Sequence, residues 1–119
     1  MAAPIALEVE VDAARALLAS EAPLLDVRDR EERQRLRIAG SRWIPIEELD
    51  RRWRELPAGQ VVVVHCAAGS RSFRATKFLR EQGVLATSMI GGISEWMGRG
   101  LPTEAGVERA TSEPASSSS

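Results

Sequence analysis

The single cysteine of the 119-residue chain, Cys66, is followed by Ala67-Ala68-Gly69-Ser70-Arg71-Ser72. Such small residues let a backbone curl tightly around a sulfur and leave room for a ligand. If the N–H groups of that loop converge, and a helix starts behind it, negative charge at the sulfur is stabilised. Arg71 adds a permanent cation at the far end of the loop. Each effect favours thiolate over thiol, so the spacing predicts a nucleophilic Cys66 near neutral pH, in a cradle that also holds an anionic oxygen. An isolated cysteine at a strand end reads as a small buried hydrophobe. The run from Ala67 to Ser72, with a helix behind it, turns the reading to a nucleophile. Cys66 is therefore the expected catalytic residue, and Ala67, Ala68, Gly69, Ser70, Arg71 and Ser72 the expected substrate-binding residues. His65, the one histidine, should point to the opposite side of its strand and reads as a packing residue.

The loop needs a frame. Val61-Val62-Val63-Val64 reads as a strand buried on both faces in the middle of a parallel sheet. Arg71 to Gln82 reads as an amphipathic helix, with Ala75, Phe78 and Leu79 on one face and Gly83 as its C-cap. Upstream, Ile5 to Val11 reads as a short edge strand, Asp12 as the N-cap of a helix through Ala19, and Leu24 to Arg28 as an apolar strand. Asp29 caps a short helix, Arg30 to Leu36. Arg42 to Pro45 is a brief strand, and Ile46 to Leu56 a helix with Ile46, Leu49, Trp53 and Leu56 at helical spacing. Downstream come a weak strand, Ala86 to Ile90, a Gly91-Gly92 turn, and a helix, Ile93 to Arg99, anchored by Trp96. The three tryptophans read as core. Asp26 reads as structural, and Arg28 as an ion-pair partner of Glu31 or Glu32. Strands alternate with helices over short connections, so the expected fold is α/β, a three-layer α/β/α sandwich on a mainly parallel sheet of about five strands. Residues 1–102 are expected to form one domain. Residues 103–119, polar and ending in serines, are expected to be a disordered tail.

Composition narrows the function classes. A net charge of −1 offers no broad basic field for nucleic acid or a membrane surface. One cysteine forms no internal disulfide and excludes a Cys-rich zinc site. Residues 1–11 lack the basic start and apolar run of a signal peptide, and no stretch approaches membrane-spanning length, so the expected location is the cytoplasm.

Cys66-x-x-Gly69-x-Arg71-Ser72 after an apolar strand resembles the active-site loop of the rhodanese (sulfurtransferase) family. Leu24-Leu25-Asp26-Val27-Arg28 with Glu31-Glu32, then Ile38 to Ser41 with Ile44-Pro45, then Gly91-Gly92-Ile93-Ser94-Glu95-Trp96, and finally Gly100-Leu101-Pro102 resemble the family's other motifs in order, across residues 5–102. The resemblance implies a sulfurtransferase that carries sulfur as a Cys66 persulfide, from a small anionic donor such as thiosulfate to cyanide, a thiol or a sulfur-accepting protein. It implies no metal or organic cofactor, and neither nucleic acid nor membrane as partner. A non-catalytic or sulfur-carrier module is the alternative. Phosphatases and arsenate reductases with a similar loop stand further off: the phosphatases need five residues between cysteine and arginine, and here there are four. Four positions depart from the family pattern. Arg37 and Ala39 lie in a structural turn. Ala67 replaces a common substrate-contacting side chain, and Phe73 is large where a small residue is usual.

Overall fold

The computed structural model describes residues 5–108. Five strands form one sheet in the order β1-β5-β4-β2-β3, every neighbouring pair parallel. They are β1 (Glu8–Val9), β2 (Leu24–Asp26), β3 (Arg42–Trp43), β4 (Val61–His65) and β5 (Leu85–Met89). The valine run supplies the middle strand because β-branched side chains suit a pleat covered on both faces. Its alternation divides the core in two. Val62, Val64 and Cys66 face Leu49, Ala75 and Leu79, whereas Val63 faces Val11, Ala14, Ile93 and Trp96. One layer is thus built by α3 (Leu49–Arg52) and α4 (Ser70–Glu81), the other by α1 (Val11–Ala19) and α5 (Gly92–Gly98). Val62, Val63 and Val64 are completely buried, each contributing at most about 1.5–3 kcal/mol. The expected α/β/α sandwich on a five-stranded parallel sheet is the architecture found.

α2 (Arg30–Arg35) opens with a capping box, in which the Asp29 carboxylate accepts from the Glu32 N–H and Glu32 Oε1 accepts from the Asp29 N–H. That bond brings Glu32 back over the start of its own helix, a placement that matters at the site.

Four local readings need correction. α1 starts at Val11, with Glu10 rather than Asp12 as its N-cap, because Val11 turns into the core instead of extending β1. The expected continuous helix from Ile46 to Leu56 is a 3-10 turn at Ile46–Glu48, one α turn and a second 3-10 turn at Trp53–Glu55. Apolar spacing cannot separate these geometries, and the segment only has to pack Leu49 and Leu56 against the sheet. Arg28 pairs not with the carboxylates of Glu31 or Glu32 but with Asp26, through two bonds of 2.9 Å from Nε and Nη2, while Nη1 reaches the Glu32 carbonyl and Nη2 also the Leu36 carbonyl. Finally, the stretch expected to be a tail from Thr103 divides. Glu104 makes an antiparallel bridge to Arg37, and Glu108 pairs with Arg33 at 2.8 Å, while residues 109–119 of the expected tail lie outside the described residues.

Candidate active site

Cys66 stands at the carboxyl end of β4, the end of an open parallel sheet where loops collect ligands. The chain cannot continue straight, because Gly69 takes φ +119 and reverses it into α4. In that turn the N–H of Gly69 donates to Cys66 Sγ at 3.1 Å and the N–H of Ser72 at 3.3 Å, with Ser72 Oγ at 3.4 Å. Burial by itself would raise the thiol pKa. The Ser72 hydroxyl and the N–H groups of Ser72, Gly69 and Ala68 outweigh it and hold Cys66 below the ordinary thiol value. The sulfur is 1% exposed as a residue, while Ala67 and Gly69 are half-buried and Ala68 and Ser70 exposed. The mouth is therefore made of small side chains, with half-buried Phe73 behind it on α4.

The last helix fixes the first two peptide units of the loop. The N–H groups of Ile93 and Ser94, at the start of α5, donate to the carbonyls of Cys66 and Ala67 at 2.9 and 3.1 Å. With the Ala67 carbonyl turned toward α5, the N–H of Ala68, on the same planar peptide unit, turns toward the sulfur. Contact is so close that a Cβ on Gly92 would lie 2.3 Å from the Cys66 carbonyl oxygen. In the sequence, Gly91-Gly92 reads as a turn and as the opening of a motif. Its role as the docking surface for the loop depends on a contact between segments far apart in the chain.

The loop residues expected to bind substrate fall into three groups. Ala68, Gly69 and Ser72 offer backbone N–H groups to the sulfur. Ala67 and Ser70 shape the rim. Arg71 is directed elsewhere: its guanidinium makes a two-pronged pair with Glu32, both bonds 2.8 Å. That pair holds the Glu32 carboxyl at about 2, well below the usual carboxylate range, and raises Arg71. Arg71 thus ties the start of α4 to α2, and the Glu32 charge balances its own. Glu32 is a site neighbour that the sequence points to only as a candidate partner of Arg28. Spacing gives no sign of a pair separated by 39 positions.

His65 lies on the far face of β4, fully buried. Its Nδ1 is 3.2 Å from the Cys66 carbonyl, which only accepts, so Nδ1 carries a proton. Burial lowers its pKa, against the pull of Asp26. A neutral ring turned away from the sulfur is a packing residue, as its alternation predicts. Beside it, Asp26 is completely buried between Arg28 and Arg33. Burial raises its pKa, and the Arg28 bonds overcome that and keep it ionised. Trp96 packs in the core and donates to the Pro102 carbonyl rather than lining the loop. Trp43 and Trp53 are only half-buried, each beneath an arginine. No group of three or more His, Cys, Asp or Glu residues among the described residues could hold a metal ion, and no described helix is long and apolar enough to cross a membrane.

The family model described as "Rhodanese-like domain" matches residues 10–99. The chain is 32% identical over 80 residues to a sulfurtransferase of Allochromatium vinosum, covering 66% of this chain and 75% of that protein. It is 31% identical over 77 residues to YrkF of Bacillus subtilis, provisionally named a sulfur carrier protein, covering 64% of this chain but 42% of that one. A rhodanese-related protein of Thermoplasma volcanium superposes with a TM-score of 0.77 at 31% identity, covering 83% of this chain and 98% of the other.

Proposed function

The chain belongs to the rhodanese-like family, with its sulfurtransferase or sulfur-carrier role, and we propose that it is a sulfurtransferase working through a Cys66 persulfide. Cys66 thiolate attacks the outer sulfur of a donor such as thiosulfate. An S–S bond forms between Cys66 Sγ and that sulfur, the donor's own S–S bond breaks, and sulfite leaves with the electron pair. An acceptor, cyanide or a thiolate, then attacks the outer sulfur and returns the pair to Cys66. The cycle is redox-neutral and has two covalent steps, so ping-pong kinetics are expected. No base is required, because the loop supports the thiolate itself. One observation carries this reading: the Sγ atom is held by the N–H groups of Gly69 and Ser72, donors that also suit a persulfide anion.

Ala67 offers the donor no charged side chain, and Arg71 is engaged by Glu32, so neither contributes a free cation to thiosulfate. The similarity to YrkF favours a second reading, in which the domain carries sulfur to a protein acceptor and turns over small molecules poorly. Incubation with thiosulfate followed by intact-mass measurement tests the cycle. Gain of one sulfur atom, absent in Cys66→Ser, supports it; no adduct from thiosulfate or a thiol persulfide would sink it. An adduct that cyanide does not remove, but a protein thiol does, selects the carrier. Phosphate release from an aryl phosphate would point instead to a phosphatase.

A further inference from the structure

Behind Ser72 lies a second hydroxyl. Ser88 of β5 is in register with Val64 of β4, on the face of the sheet that carries Cys66. It is completely buried, as is Ser72. The two Oγ atoms are 2.7 Å apart, and Ser88 Oγ has no other hydrogen-bond partner among the described residues. Ser72 Oγ also lies 3.1 Å from the Gly69 carbonyl and 3.4 Å from Cys66 Sγ.

Counting protons assigns the donors. Each hydroxyl has one proton and two acceptor positions. A buried Ser88 proton has only Ser72 Oγ to go to. Were Ser72 to donate to Ser88 instead, the Ser88 proton would be stranded, at the cost of an unmade buried hydrogen bond. Ser88 therefore donates to Ser72, and the Ser72 proton serves either the Gly69 carbonyl or the sulfur. While Cys66 is a thiol, S–H donates to Ser72 Oγ and Ser72 O–H donates to the Gly69 carbonyl. When the thiol proton leaves to water, Ser72 O–H swings to the thiolate, and no proton passes between the serines.

We propose that Ser88 is a positioning residue of the sulfur-transfer site, which holds the Ser72 hydroxyl as a donor to the Cys66 sulfur. The inference rests on Cys66 being the reacting group and adds to it a residue on another strand. Donor chains of this kind strengthen one another in a dry environment. The charged groups around the loop are Arg71 of α4 with its partner Glu32 of α2, and Glu95 of α5, which packs against Gly91. On the far face of β4 stand His65, Asp26, Arg28 and Arg33. Removing one neutral hydroxyl alters none of these charges.

The test is the rate of Cys66 alkylation by iodoacetamide against pH, in the full chain. It needs no sulfur donor, so its failure is separable from failure of the transferase reading. Ser88→Ala and Ser88→Val, one smaller and one larger than serine, should both raise the alkylation midpoint by about one pH unit. Alkylation below both midpoints should be about ten-fold slower, with the same plateau at high pH. Ser88→Thr, which matches Val in shape but keeps the hydroxyl, should titrate like the parent. In a Ser72→Ala background, Ser88→Ala should add nothing, because its effect passes through Ser72. An unchanged midpoint in whichever of the Ala and Val variants folds overturns the proposal. So does a shift that persists without Ser72, or one that Thr shares with Val.

Discussion

At Cys66 two opposed effects meet, burial that favours the thiol and hydrogen bonds that favour the thiolate, and the bonds prevail. The sign for reactivity follows. A lowered pKa leaves more thiolate at neutral pH, so persulfide formation should rise with pH through a midpoint below the ordinary thiol value of 9.0. A pH series of single-turnover rates checks this, and a midpoint at or above pH 9 would contradict it. Glu32 has a different consequence. Its folded pKa of about 2, against an ordinary 4.5, means that its ion pair stabilises the fold fully above pH 4.5. That contribution fades as the pH falls toward 2. The shift caps the effect at about 3 kcal/mol, and partial exposure of the pair brings it nearer 1–2 kcal/mol. Glu32→Gln should therefore be less stable than the parent by about that amount at pH 7, and the gap should narrow at pH 3. Urea unfolding at both values measures it; an equal gap at both would mean that the pair is not its source.

Among the elements, α5 matters to the loop more than its place at the end of the domain suggests. It fixes the carbonyls of Cys66 and Ala67, and through the latter the direction of the Ala68 N–H at the sulfur. Gly92→Ala would put a methyl group 2.3 Å from the Cys66 carbonyl oxygen, at φ +57. The expected cost is about 2–4 kcal/mol, with Cys66 alkylation slowed because α5 and the loop must part. Thermal unfolding and alkylation rate together check this, and a stable variant with parental reactivity would refute the coupling. A second tie runs through α2. Asp26 holds Arg28 and Arg33, Arg28 grips the carbonyls at the end of α2, and α2 presents Glu32 to Arg71. Asp26→Asn leaves two buried guanidinium groups short of a charge and should cost about 3–5 kcal/mol, read as a drop in the urea midpoint.

For the whole molecule, residues 104–108 extend the body past the point where composition suggested that it ends. Arg33 and Arg37 are 3% and 7% exposed, and they meet Glu104 and Glu108 there. Truncation after Thr103 strips both arginines of these partners. The expected loss is about 1–3 kcal/mol, less if water reaches the guanidinium groups, with Cys66 reactivity unchanged because the strap does not touch the loop. Differential unfolding of full and truncated chains measures the first part, and alkylation the second. Equal stability would show that the strap contributes nothing.

What the sequence determines by itself is local. A valine run, four small residues, an arginine and a helical stripe are read along the chain, and their order specifies a parallel sheet with a cysteine loop at its carboxyl end. The Asp29 cap and the inert side of His65 follow from the same short-range rules of turn chemistry and alternation. Only the tertiary structure decides what stands opposite that loop. Arg71 meets Glu32, Gly92 meets the Cys66 carbonyl, and Ser88 meets Ser72, across 39, 26 and 16 positions. Such pairs arise when the sheet brings strand ends together, and no periodicity along one element encodes a neighbour on another. The helix from Ile46 to Leu56 shows the converse. Apolar spacing correctly marked the face that packs, yet packing tolerated broken 3-10 turns where an unbroken α-helix was expected.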